Sequence, residues 1–149
     1  VDEFFQKLNK AGVRYLLIGG QAMRLKGMPR FSMDWDLYIP PRDVDNFERL
    51  NKAVSDDIDD VVVPLGKQGQ GFVQTHQTRW GVIQFHLLLP GVNDFSAAES
   101  RAVEITADNG TKIRSMSGAD LLAAKEAANR PQDQLDILFL RELARIGKL

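Results

Sequence analysis

The sequence predicts one α/β (α+β) domain over residues 1–149, a mixed β-sheet with flanking helices and a C-terminal helix pair. Three observations lead there. Helical and strand-like periodicities follow one another in the order helix, strand, helix, strand, helix, strands, helices, which suits helices packed on a mixed sheet. The length of 149 residues is close to the commonest size of a single domain. Apolar residues at 44% and charged residues at 26% are enough to bury a core and keep a charged surface. No repeat, low-complexity tract or linker interrupts the pattern.

The first element is a helix over residues 2–10, with Phe4, Leu8 and Ala11 at helical spacing and Gly12 as its C-terminal stop. Residues 13–18 are short, apolar and β-favouring, a buried strand. Gly19-Gly20 turns the chain into a short helix over residues 21–26, which Gly27-Met28-Pro29 ends. Residues 31–39 alternate and are aromatic-rich, a second strand stopped by Pro40-Pro41. Asp43 is placed to cap a helix that carries Val44, Phe47, Leu50 and Val54 on one face.

Three strand-like runs follow, over residues 61–65, 72–78 and 82–89. The first two are joined by a glycine-rich connection over residues 66–71 that lacks a following helix and a Gly-Lys-Ser/Thr ending, so it reads as a loop and not a phosphate loop. Residues 103–106 and 112–114, separated by Asp108-Asn109-Gly110, form a hairpin. Ser117 and Asp120 open a helix as a capping box, Asn129-Arg130-Pro131 breaks it, and Pro131 starts a last helix that runs through Ile146.

Composition excludes several classes. A net charge of −1 supplies no bulk attraction to nucleic acid or anionic membrane. The absence of cysteine removes disulfides and thiolate metal sites, and two histidines make a zinc centre uncommon. No apolar run reaches the length that spans a bilayer, so no membrane partner is expected and a cytoplasmic location is the plain inference. His86 reads as a hydrogen-bonded strand residue and His76 as incidental.

The informative stretch is residues 19–39. Two glycines close a strand and open a helix, and thirteen residues separate Gly20 from Asp34. Asp34 and Asp36, two apart on a strand, face the same way while Trp35 turns to the other side. Two carboxylates that close repel unless a cation lies between them, and a hard divalent ion, Mg²⁺ or Mn²⁺, is the economical partner. The glycines permit a close backbone approach, and amides at the start of the following helix suit phosphate oxygens.

Gly19, Gly20, Asp34, Trp35, Asp36 and Leu37 resemble the pattern of the nucleotidyltransferase superfamily, which includes DNA polymerase beta and the aminoglycoside and lincosamide nucleotidyltransferases. That pattern is Gly-Gly or Gly-Ser, about ten to thirteen residues, then Asp-h-Asp/Glu-h with h apolar. The resemblance implies transfer of a nucleoside monophosphate from an NTP to a hydroxyl or phosphate acceptor, with Asp34 and Asp36 as catalytic metal ligands. Gly19, Gly20 and Ser32 would hold the nucleotide. Lys125, Arg130, Asp133 and Asp136 resemble the Lys-x4-Arg-x2-Asp-x2-Asp helix pair of the toxin-like, abortive-infection branch. By that likeness Lys125 reaches the triphosphate, the other three brace the site, and a toxin–antitoxin role enters as a further reading. The small size implies that acceptor binding calls on a protein partner or a second copy.

One departure stands out. The superfamily places a third carboxylate on a later strand, often as h-Asp-h-His, and the matching residues 82–86 put Gln84 there. Glutamine is no general base and a poor Mg²⁺ ligand. Three readings follow: Asp94 or Glu104 supplies the acid, another base serves, or the chain is a degenerate module that binds nucleotide, RNA or a protein partner without turnover.

Overall fold

The computed structural model describes residues 1–107 and 109–149; Asp108 of the predicted hairpin turn lies outside the described residues. Six strands, β1 (Leu16–Ile18), β2 (Trp35–Tyr38), β3 (Val73–Thr78), β4 (Gly81–His86), β5 (Val103–Thr106) and β6 (Lys112–Ser115), form one mixed sheet in the order β3-β4-β2-β1-β6-β5. Helix α1 (Asp2–Lys10) buries Phe4, Phe5 and Leu8 and ends where predicted, with Gly12 at a φ of +70°. β1 (Leu16–Ile18) is buried throughout and lies inside the sheet, antiparallel to β2 (Trp35–Tyr38) and parallel to β6 (Lys112–Ser115). Between them runs α2 (Gly19–Leu25).

β2 also pairs in parallel with β4 (Gly81–His86), which pairs antiparallel with β3 (Val73–Thr78). α3 (Val44–Val54) is capped by Asp43, whose side chain accepts from the Asn46 amide, as the sequence predicts. β5 (Val103–Thr106) and β6 are the predicted hairpin strands. α5 (Gly118–Ala128) is capped by Ser117 and stops at Asn129, left-handed at φ 46°; a 3-10 turn (Pro131–Asp133) leads into α6 (Gln134–Arg145).

The core lies on the sheet face that Trp35, Leu37, Ile83 and Phe85 take. Phe5 of α1 meets Trp35 edge-on at 5.5 Å and Tyr15 at 5.7 Å, so α1 is fixed on the side away from Asp36. The opposite face of β2 and β4 presents Asp36, Gln84 and His86 and lines a cavity with α5 and α6.

Several sequence expectations change: the strand expected over residues 13–18 is only Leu16–Ile18, and the one expected over 82–89 ends at His86. Residues 61–65 are not a strand: side-chain amides stand in for a partner strand. Asn51 both donates to the Val62 carbonyl and accepts from its N–H at 2.8 Å, and Gln74 does the same for Val63 at 2.7 and 2.9 Å. The second strand is shorter than 31–39; Phe31 and Met33 are exposed and Asp34 sits one residue before β2 begins. Residues 95–100 form a helix, α4 (Phe95–Ser100), where none was expected; Asp94 caps it by accepting from the Ser96 and Ala97 amides, and Phe95 packs on Tyr38 at 5.1 Å. Among the described residues no helix is long and apolar enough to cross a membrane.

Candidate functional site

The Gly-Gly turn and the Asp-x-Asp segment are brought together by the β1–β2 register, which sets Ile18 opposite Asp36. Gly19 has a φ of +70°, and a Cβ there would lie 2.5 Å from Asp36 Oδ2. A Cβ on Gly20 would lie 2.6 Å from Ser32 Oγ. Both glycines are therefore required by steric contact with the second half of the motif, and Gly19 also by backbone conformation. The close approach that glycine allows is made here by the chain's own Asp36 and Ser32.

Gly19, Gly20 and Asp36 open onto a cavity of about 440 Å³, inside the range of small-ligand sites. Its strand wall carries Asp36, Gln84 and His86, its rim Phe72, Leu88 and Pro90, and its helical side Lys125, Arg130, Asp133 and Asp136. A more open depression of about 690 Å³ between α1 and the β5–β6 hairpin contains Glu104 but none of the other predicted site residues. The chemistry converges at the smaller cavity.

On the strand wall, the His86 Nε2–H donates to Asp36 Oδ1 at 2.9 Å. Gln84 stands directly across the β2–β4 ladder from Asp36, and its amide donates to Thr75 Oγ1 at 3.3 Å. Asp94 is engaged in capping α4, and Glu104 lies on the far edge strand β5, three strands from β2. Neither lines this cavity. Ser32 and Asp34 stand just outside its lining.

On the helical side, Lys125 Nζ lies 3.0 Å from Asp136 and 3.4 Å from Asp133. Arg130 donates through Nε and Nη2 to Asp133 at 2.9 and 3.0 Å, and its backbone N–H also donates to that carboxylate. Arg30 Nη1 donates to both Asp136 oxygens at 2.6 and 2.7 Å. The Asp133 and Asp136 side chains are 0% and 2% exposed. Burial pushes the Asp133 carboxyl up, but bonds from the Arg130 side chain and backbone and the charges of Lys125 and Arg130 outweigh it and hold it at about 2. The same contact raises Arg130. The sequence pointed to four members of this cluster; it missed Arg30, a loop arginine whose only signal is its place two residues before Ser32. It also missed that His86 partners Asp36.

Among the described residues, no three acidic or histidine side chains converge as a closed metal site. Of the expected pair only Asp36 lines the cavity, and Asp34, just before β2, does not; a single carboxylate still suits Mg²⁺, which is commonly held by one or two carboxylates and completed by substrate phosphates and water.

No protein-family model matches the chain, and no curated protein matches it in sequence. Solved structures do match in fold. A Thermotoga maritima protein provisionally classed as a nucleotidyltransferase superposes with a TM-score of 0.62 at 12% identity, over 95% of this chain and 88% of its own. The lincosamide antibiotic adenylyltransferase LnuA, in its lincomycin-bound form, gives 0.58 at 16% identity over 90% and 89%. An antigenic nucleotidyltransferase-like protein from Paracoccidioides brasiliensis gives 0.56 at 20% identity over 96% and 74%. The chain has the nucleotidyltransferase fold.

Proposed function

We propose that this protein transfers a nucleoside monophosphate from an NTP to a hydroxyl or phosphate acceptor. The observation that carries the reading is the packing of Gly19 and Gly20 on Asp36 and Ser32 at a cavity whose far side is cationic. Asp34 and Asp36 would hold a divalent cation, Mg²⁺ or Mn²⁺, which when bound would offset negative charge developing on the phosphates. Gly19 and Gly20 let Asp36 and Ser32 pack against the turn, Ser32 offers a hydroxyl donor, and Lys125 adds positive charge. Asp133 and Asp136 keep the cations in place. LnuA is named as a lincosamide adenylyltransferase, which makes a small hydroxyl-bearing acceptor the first class to try here.

Titration calorimetry of each NTP with Mg²⁺ tests this on the wild type and on the Asp34→Ala/Asp36→Ala double variant. Metal-dependent binding lost in the variant is expected, together with loss of labelled-nucleotide transfer. Transfer that survives Asp34→Ala sinks the assignment.

Gln84 favours a second reading, a degenerate module that holds nucleotide without turnover. NTP that stays bound and intact through long incubation with Mg²⁺ is the expected result in that case.

A further inference from the structure

Lys125 is the cation that the helix-pair resemblance assigns to the triphosphate, yet its ammonium is divided between Asp133 and Asp136. Arg30 is differently placed. It lines the cavity beside Gly19 and Gly20, and its Cζ lies 3.3 Å from where a Gly20 Cβ would stand. It is also bonded unlike Arg130, its neighbour in the cluster. Arg130 commits Nε and Nη2 to Asp133, and Arg101 commits the same two atoms to Asp120. That is the usual fork. Arg30 instead meets Asp136 end-on, through Nη1 alone. Among the described residues its Nη2 and Nε have no hydrogen-bond partner.

The charge count points the same way. Arg30, Lys125 and Arg130 share only Asp133 and Asp136, so the cluster carries one positive charge more than a balanced ion-pair network needs. Asp36, on the strand wall, is bonded to His86 and makes no ion pair with these cations, although its charge acts on Arg130 across the cavity and offsets part of that excess. Asp136 is buried and fixed from two sides, so Arg30 cannot swing away without leaving a buried carboxylate short of a partner.

We infer that Arg30 is a phosphate-binding residue: its Nη2 and Nε take oxygens of the nucleotide's phosphate chain beside the Gly19-Gly20 turn, and Asp136 is the positioning residue that aims it. This rests on the nucleotide reading above and adds a residue to it. The chemistry recognised is a chain of phosphate oxygens, which inorganic tripolyphosphate also presents.

The test uses calorimetry with three probes, tripolyphosphate, ATP and adenosine, on the wild type, Arg30→Ala and Arg30→Lys. Lysine keeps one nitrogen for Asp136 and loses the spare donors, so Arg30→Lys serves even where Arg30→Ala fails to fold. Arg30→Lys is expected to melt with the wild type and to bind tripolyphosphate and ATP at least about tenfold more weakly, with adenosine unaffected. Equal affinity of Arg30→Lys and wild type for tripolyphosphate overturns the Arg30 assignment and leaves the nucleotide reading standing. A wild type that binds neither ATP nor tripolyphosphate overturns both.

Discussion

On the helical side of the cavity, Arg30, Lys125 and Arg130 share two carboxylates that are almost wholly out of solvent, whereas the strand wall holds one carboxylate, Asp36, with His86 beside it and Gln84 opposite. The two walls carry different risks. Asp133 and Asp136 of the helical cluster are out of solvent, so losing one of their cations strands a buried carboxylate. On the strand wall the Asp36 and His86 side chains make one hydrogen bond, to each other, and a change there alters chemistry more than folding. One wall sets the geometry of the site and the other is free to set its reaction.

Removing the shared carboxylate tests that contrast hardest. Asp136→Ala takes the partner from Arg30 and Lys125 together and is expected to cost about 3 kcal/mol of stability by urea denaturation. A loss below about 1 kcal/mol would mean that the helical wall is no more constrained than the strand wall.

Acid should find the same wall. The Asp133 carboxyl stands at about 2 in the fold against an ordinary 3.8. A depressed value contributes stability that is fully present above the ordinary pKa and is lost as pH falls through about 2, a loss of about 2 kcal/mol. Asp133→Asn should lower stability at neutral pH and flatten the decline between pH ~4 and ~2. Unfolding curves of the two proteins across that range check it.

The smallest effect belongs to the strand wall. Gln84→Asp gives up one long hydrogen bond and puts a second carboxylate opposite Asp36, which should cost under about 1 kcal/mol without metal. Added Mg²⁺ should raise its melting temperature more than that of the wild type. An identical Mg²⁺ response in both proteins would show that the ladder position opposite Asp36 does not reach the metal.

Much of the site was legible because its signals are local. Gly12, Asp43 and Ser117 mark helix ends through their own backbone and side-chain bonds, and Gly19-Gly20 with Asp36 follows a fixed spacing along the chain. Residues 61–65 misled because an apolar run with buried Val62 looks like a strand, while the bonds that replace the ladder come from Asn51 and Gln74, distant in sequence. α4 went unseen because six residues give too little periodicity, although Asp94 was a readable cap.

By itself the sequence determined the alternating elements, the Gly-Gly and Asp-x-Asp pairing, and the glutamine where a third acid was expected, since each depends on residue type and near-neighbour spacing. The tertiary structure decided that Arg30 joins Asp136 across 106 positions of chain and that His86 meets Asp36 across 50. It also decided that Asp94 and Glu104 stay away from the site. Those outcomes depend on strand order and on which buried carboxylate lacks a cation, and both are settled only when the sheet and the C-terminal helices close on each other.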